Sequence, residues 1–379
     1  MGRAVSFLLL LLCGCSRQQP QSAEELYRDT FKTFRQGQLD QAYRQAEYGG
    51  EAWNQGTGPP WELQFKLLRA EILVAQGKSG EALKLLNSPP FDQPLPAKFE
   101  ARNKMIQANA RLKLSDYDSA GPLLEDAHRL ASASSQPAVR LETELLRGTL
   151  LSRTRKLAEA ERVFRDVLRS AREQGDTYIE ASALNNLGLI RVRSFRFDEA
   201  VPHFEQALSA FEQLGATIYS AAVLGNLSLC HFRLGNFESA LSQRLRANEL
   251  HEQAGAQFYL QQGLGITGLL YLTQGDWARS AEYSRRALSL ARELNARYDT
   301  SVWASNLAEA LAQMKQWEEA ERLNNEALQL KRELNDTASQ AFCQLTAGTI
   351  AAGRGRFDDA IAILTELAGS TDNQWLLWS

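Results

Sequence analysis

The sequence predicts an all-α solenoid of about nine helix hairpins, on three observations. A forty-residue period runs through the chain: segments beginning at Thr177, Thr217, Gln257, Arg297 and Thr337 align without a gap, and those at Ala97 and Pro137 keep the register. One position of that period is small throughout, at Ala42, Ala82, Ala120, Ala160, Ala200, Ala240, Ser280, Ala320 and Ala360, with one step of 38 rather than 40. Twelve residues earlier lies a second, mostly small series: Thr30, Ala70, Ala108, Gly148, Gly188, Ser228, Gly268, Ala308 and Gly348. Small residues at both places let two helices cross closely. Composition agrees with a packed chain: 44% of residues are hydrophobic and 23% charged. With 42 Lys and Arg against 45 Asp and Glu, the net charge of −3 excludes a whole-protein basic field for nucleic acid.

In chain order, residues 1–14 read as a signal peptide, because Arg3 precedes the apolar run Ala4 to Leu12, too short to span a bilayer. Its end, Leu12-Cys13-Gly14-Cys15, resembles the bacterial lipobox. Cys15 fits the lipidated position, since Gly14 then occupies the small site; for Cys13 that site would hold Leu12. The alternative is an ordinary secretory signal with incidental cysteines. Residues 15–22 follow as a polar tether, and Ser16 after the lipid site implies, by the same resemblance, the outer membrane facing the periplasm.

Residues 23–96 read as two degenerate units joined by linkers rich in proline (Pro59, Pro60, Pro89, Pro90, Pro94, Pro96), where a kinked or flexible junction is expected. Residues 97–368 carry seven units of forty, and no proline follows Pro202, so the C-terminal half should be uninterrupted. Gly37, Gly77, Gly235, Gly275 and Gly355 share the register at which a first helix ends in a left-handed residue. Asp118, Asp198 and Asp358 are expected to cap the second helix, behind a wedge series of Leu39, Tyr117, Leu157, Phe197, Phe237, Trp277, Trp317 and Phe357. Pro122 and Pro202 fall near that helix's start, where a missing N–H costs least.

These residues resemble tetratricopeptide repeats. LGLIRVRSFRFDEAVPHFEQAL (187–208), LSLCHFRLGNFESAL (227–241) and TGLLYLTQGDWARSA (267–281) carry that family's small residue, turn, aromatic and Ala in order. The resemblance covers about 23–368, is of the forty-residue long-helix type, and implies a right-handed superhelical solenoid. The array also resembles the repeat arms that precede caspase-like CHAT domains, so a second reading is the substrate-recruiting arm of a larger protease. Residues 369–379, ending Gln374-Trp375-Leu376-Leu377-Trp378-Ser379, form an apolar segment that could dock on the ninth unit, mark a partner surface or open a tenth helix.

No catalytic constellation is visible: His128, His203, His231 and His251 occupy different repeat positions, without HExxH, GxSxG or a phosphate loop. The four cysteines show no metal-ligand spacing, and Cys230 falls in a core slot shared with Ile190, Leu270 and Ile350. The sequence therefore reads as no enzyme, with no cofactor, no metal and no nucleic-acid partner, but a lipid-anchored scaffold binding a protein or peptide in its groove. Two ladders are the candidate site. Lys113, Arg153, Arg193 and Arg233 recur every forty residues, with Arg35 in register upstream. They could meet an acidic or C-terminal carboxylate, or merely sit where a helix C-terminus favours cations. Asn186, Asn226 and Asn306 precede the Leu-small pair. An amide there offers donor and acceptor to a peptide backbone, as the resemblance to long-helix arrays implies, or else joins helices within the array.

Overall fold

The computed structural model describes residues 22–53, 61–88 and 95–369. Among them are eighteen helices in consecutive hairpins, all α. The first helices of each pair are α1 (Ala23–Arg35), α3 (Trp61–Ala75), α5 (Ala97–Lys113), α7 (Pro137–Arg153), α9 (Thr177–Arg193), α11 (Thr217–Arg233), α13 (Gln257–Thr273), α15 (Arg297–Gln313) and α17 (Gln340–Gly353). Their partners are α2 (Leu39–Ala52), α4 (Ser79–Leu86), α6 (Tyr117–Ala133), α8 (Leu157–Gln174), α10 (Phe197–Gln213), α12 (Phe237–Gln253), α14 (Trp277–Glu293), α16 (Trp317–Glu333) and α18 (Phe357–Gly369). Six first helices begin at the residue the period predicts; the ninth unit's begins at Gln340 rather than Thr337. Within the array α9 to α18 follow one another with single short turns, as the absence of proline after Pro202 predicts.

The small positions are where each hairpin closes. Ala120, Ala160, Ala200, Ala240, Ser280 and Ala320 are completely buried. A Cβ built on Gly188 would lie 2.6 Å from the Phe204 ring, and one on Gly148 2.5 Å from Phe164. Those two rings are themselves fully buried, so glycine is what lets the aromatic of the second helix fill the space against the first.

Both turns of a unit use one left-handed residue. Gly37, Gly77, Gly235, Gly275 and Gly355 have φ between 75° and 83°, as expected. In the same register Ser115, Arg155, Phe195 and Lys315 adopt φ of 58° to 65°, a conformation that costs side-chain-bearing residues free energy. One residue then separates the turn from the second helix, which moves the cap back from its expected place. Asp118, Asp198 and Asp358 lie inside the first turn, after a helix that already starts at Tyr117, Phe197 and Phe357. Capping is instead by Asp116, which accepts from Ser119 N at 3.2 Å, and Asp276, from Arg279 N at 3.1 Å. Pro122 and Pro202 are the sixth residues of their helices, one turn deeper than the free N–H groups.

The N-terminal units close back onto the array. The backbone N–H of Thr217 donates to Gln36 O at 3.2 Å, Gly37 abuts Ile218, and the Tyr259 hydroxyl donates to Ala75 O at 3.4 Å. Leu26, Phe34, Leu39, Phe65, Leu68 and Ile72 share one apolar cluster with Ile218. The turn ends of α1 and α3 thus rest on the N-terminal ends of α11 and α13. The signal peptide, Cys15, the tether up to 21, Pro59, Pro60, Pro89, Pro90, Pro94 and the segment 370–379 lie outside the described residues.

Candidate functional site

Three consecutive first helices keep one face that their neighbours do not cover. On α9 it is Ser182, Asn185, Asn186 and Leu189; on α11 Ala222, Gly225, Asn226, Leu229 and Arg233; on α13 Gln262, Ile266, Leu269 and Thr273. The spacing of three and four is that of a single helix side, so these residues form one inner surface across three units. Leu229 and Leu269 are 41% and 38% exposed, in register with half-buried Leu189. This apolar stripe was present in the sequence at forty-residue spacing but not singled out.

Lys113, Arg153, Arg193 and Arg233 are the last residues of α5, α7, α9 and α11, so they edge that surface in a row. Lys113, Arg153 and Arg233 are exposed and Arg193 half-buried. None of the four forms an ion pair among the described residues; Arg233 lies over the Phe197 ring at 5.3 Å. The Lys113 ammonium is lowered from its ordinary pKa by the protein around it and then by the charge of Arg153. Arg193 is lowered likewise, by burial first and then by Arg153 and Arg155, and its Nε is buried without an acceptor. Lys113, Arg153 and Arg193 therefore act on one another as like charges, and none of them has an ion pair among the described residues. A helix C-terminus favours such a residue by roughly 0.3 to 1 kcal/mol, but for Lys113 and Arg193 desolvation by the surrounding protein and repulsion act against the charged form.

The fifth member of the series behaves differently. Arg35 ends α1 and pairs with Glu142 of α7 at 2.5 Å, its guanidinium 3.6 Å from the centre of the Tyr178 ring. Around it gather Tyr27, Glu71, Arg102, Tyr219 and Asp176, with Arg102 bound to Glu71 and donating to the Tyr27 hydroxyl at 3.0 Å. Burial raises the Glu142 carboxyl to about 6, helped by the neighbouring Glu71 charge and opposed by Arg35 and Arg102. Sequence reasoning missed this cluster. Its members stand on different helices with no common period, and only the aromatics Tyr178, Tyr219 and Tyr259 at the starts of α9, α11 and α13 signalled it.

The asparagine series divides. Asn186 donates to Ser182 O of its own helix at 2.9 Å, and Asn226 donates across units to Asn185 Oδ1 at 2.9 Å, leaving the Asn226 carbonyl and Asn185 amide toward the inner surface. Asn306 is buried, 6% exposed, because α15 is packed on nearly every side around Trp303, whose ring fills the place of a side chain at Gly265. Asn306 is thus not presented with the other two.

Cys230 and Cys343 are buried, and burial pushes both thiols up to about 11, which suits core residues rather than nucleophiles. A cavity of about 330 Å³ between α16, α17 and α18, lined by Asn324, Arg356 and Asp359, belongs to other units than the cation row. No group of metal-ligating side chains occurs among the described residues, and no described helix is long and apolar enough to cross a membrane.

The family model for the tetratricopeptide repeat matches residues 179–253, 259–333 and 299–368. No curated protein sequence matches the chain. Solved structures share the fold at low identity. A Rap protein complexed with competence and sporulation factor is 15% identical over 92% of this chain and 99% of that one, with a TM-score of 0.60. Aspartyl phosphate phosphatase F from Bacillus subtilis is 12% identical over 94% and 96%, with a TM-score of 0.57. A signal transduction ATPase with a tetratricopeptide repeat sensor from Pyrococcus horikoshii is 14% identical, with a TM-score of 0.61, over 89% of this chain but 53% of its own length.

Proposed function

Residues 179–253, 259–333 and 299–368 match the tetratricopeptide repeat, and on that footing we propose that the chain is a binding scaffold, not an enzyme, whose inner surface holds an extended acidic segment of a protein partner. The observation that carries this reading is the row Lys113, Arg153, Arg193 and Arg233: cations on consecutive inner helices, without a carboxylate partner, in a chain of net charge −3. A fold that holds like charges together is complementary to an anion that spans them. Beside the row, Asn185 and Asn226 offer an amide and a carbonyl to a peptide backbone, and Leu189, Leu229 and Leu269 supply an apolar strip. The Rap neighbour, solved with its factor bound, offers a precedent for the fold and nothing about this chain's partner.

The same reading includes attachment through a lipid on Cys15, on the cell envelope and by the sequence after the lipid site at the outer membrane facing the periplasm. It rests on the LCGC end of the apolar run. Labelling with a palmitate analogue checks it; label and membrane association that persist in Cys15→Ser refute the anchor.

The groove reading is tested by capturing partners from an envelope extract with the full chain and with the triple variant Arg153→Ala, Arg193→Ala, Arg233→Ala. Expected is the loss of a specific partner, with the variant melting no lower than the wild type. An unchanged partner set with a lowered melting temperature returns the three arginines to plain helix-end partners.

A further inference from the structure

The second helix α12 departs from the apolar packing of most of the array, as α16 does with buried Asn324 and Lys331. In α10 the side chains facing inward are Phe204, Leu208 and Phe211, and in α8 Phe164, Leu168 and Ala171. Forty residues beyond α10, the same slots of α12 hold Arg244, Asn248 and His251. All three are buried, at 9%, 6% and 5% exposed. Buried polar groups are ordinarily fully hydrogen-bonded, and buried charges paired. Here each side chain leaves an atom unmatched: Arg244 Nε, Asn248 Oδ1 and His251 Nδ1 are buried without a partner.

Asn248 and His251 have structural roles. The Asn248 amide donates to Thr267 Oγ1 at 2.9 Å and crosses above Gly263, and the His251 ring stacks on Tyr259 at 5.5 Å between centres. Arg244 has one bond, from its terminal amino group to Gly225 O at 2.9 Å. No carboxylate pairs with it among the described residues, and burial alone lowers the guanidinium to about 10. The position of the guanidinium matters most. A Cβ on Gly225 would lie 3.0 Å from one terminal nitrogen and 3.4 Å from the other. Gly225 is half-buried on the open inner face of α11, one residue before Asn226 and four before Leu229. In that slot α9, α15 and α17 carry Asn185, Ser305 and Leu345, and α13 carries Gly265, where the Trp303 ring fills the place of the side chain. With glycine there, the guanidinium of a residue rooted on the second helix lies against the α11 backbone at a point of the inner face where α11 has no side chain.

We propose that Arg244, reached past Gly225, is an anchor for a carboxylate of the extended ligand, set in the floor of the inner surface beside Leu229 and Asn226. This rests on the groove reading above and adds a second, enclosed anionic subsite separate from the exposed row at the helix ends. An enclosed guanidinium holds a carboxylate more strongly than an exposed one because water competes less and both nitrogens of the fork can donate.

The test uses the full chain and a random dodecapeptide library displayed on phage. Peptides selected on the wild type are resynthesised with the C-terminus free or amidated, and with each Asp or Glu replaced by its amide. Affinities are measured on the wild type, on Arg244→Met and on the Arg153, Arg193, Arg233 triple variant. Expected is one carboxylate, of a side chain or of the terminus, whose neutralisation weakens binding about ten- to a hundredfold on the wild type and on the triple variant but not on Arg244→Met. Gly225→Ala, which keeps the charge and sets a methyl against it, should show the same loss and serves should Arg244→Met not fold. Peptides that bind without such a carboxylate, or whose carboxylate penalty disappears only on the triple variant, overturn the anchor and leave the groove reading standing. Failure to select any peptide overturns both.

Discussion

Substituting Arg35→Met should loosen the closure of the N-terminal units, and by an amount that depends on pH. Arg35 and Glu142 have side chains 19% and 18% exposed, so water screens the pair weakly. With a carboxyl moved from 4.5 to about 6, closure carries at pH 7 a cost of about 2 kcal/mol for keeping Glu142 in place, at 1.36 kcal/mol per unit. Because the closed state binds the proton more tightly, closure is strongest below pH 4.5 and weakens as pH rises through 6. Removing Arg35 takes away the charge that opposes protonation. The cost can then climb only until Glu142 is fully neutral, a ceiling of about 3 kcal/mol at pH 7, so the charge contributes at most about 1 kcal/mol. At pH 5 the wild-type cost and the ceiling are both under about 1 kcal/mol, and the difference vanishes. The contact over Tyr178 at 3.6 Å, worth about 2 kcal/mol when desolvated, is lost at either pH. Hydrogen exchange of the amides in 23–53 and at Thr217 should therefore accelerate about thirtyfold at pH 5 and more, by up to about a further tenfold, at pH 7, after correction for intrinsic rates. Equal acceleration at both values refutes the enclosed carboxyl. No acceleration refutes the closure itself.

Three further outcomes follow from the packing. Gly188→Ala places a methyl 2.6 Å from the Phe204 ring and should lower stability by about 1 to 3 kcal/mol in a urea titration, whereas Gly80→Ala, with nothing near, should not. Lys315→Gly, at an exposed turn with φ of 61°, should raise the melting temperature by an amount equivalent to at most about 1 kcal/mol; a lowered one would mean that the turn is not left-handed in solution. Deleting 297–336, a whole hairpin outside the closure, should leave a folded, shorter array, while deleting 297–316 should not; equal circular dichroism and melting for both would contradict the unit boundaries.

The period made most of the fold legible. A position that must be small for two helices to cross, as at Gly188 against Phe204, fixes the register of everything between two such positions, and helix starts at Thr177, Thr217, Gln257 and Arg297 came with it. Caps were misplaced by two residues because Tyr117 or Phe197 can begin the helix itself once a single residue follows the left-handed turn. The site was legible as a register and not as an environment. Arg193 and Arg35 hold the same repeat position, yet one is left among cations and the other is paired with Glu142, 107 residues away in sequence. Periodicity says which helix side a residue takes, not what another turn of the solenoid brings against it. Arg244 shows the converse, since its departure from the Phe164 and Phe204 slots stands in the sequence while its meaning depends on the missing side chain at Gly225.

Arg35 also indicates what the rest of its series is suited to. All five cations end inner helices and share the helix-dipole contribution, so that contribution cannot explain why they differ. What differs is access to a carboxylate. Where Glu142 is within reach, the guanidinium turns to it, lies across an aromatic ring and is raised in pKa by the Glu142 charge against the effect of burial. Where none is within reach, Lys113 and Arg193 are lowered and an Arg193 nitrogen stays without an acceptor. Arg233 already lies over Phe197 at 5.3 Å, the same cation and ring pairing without its anion. An acidic segment laid along the row would therefore supply to Arg153, Arg193 and Arg233 what Glu142 supplies to Arg35, and the chain's own closure is the internal example of the contact that a partner would make.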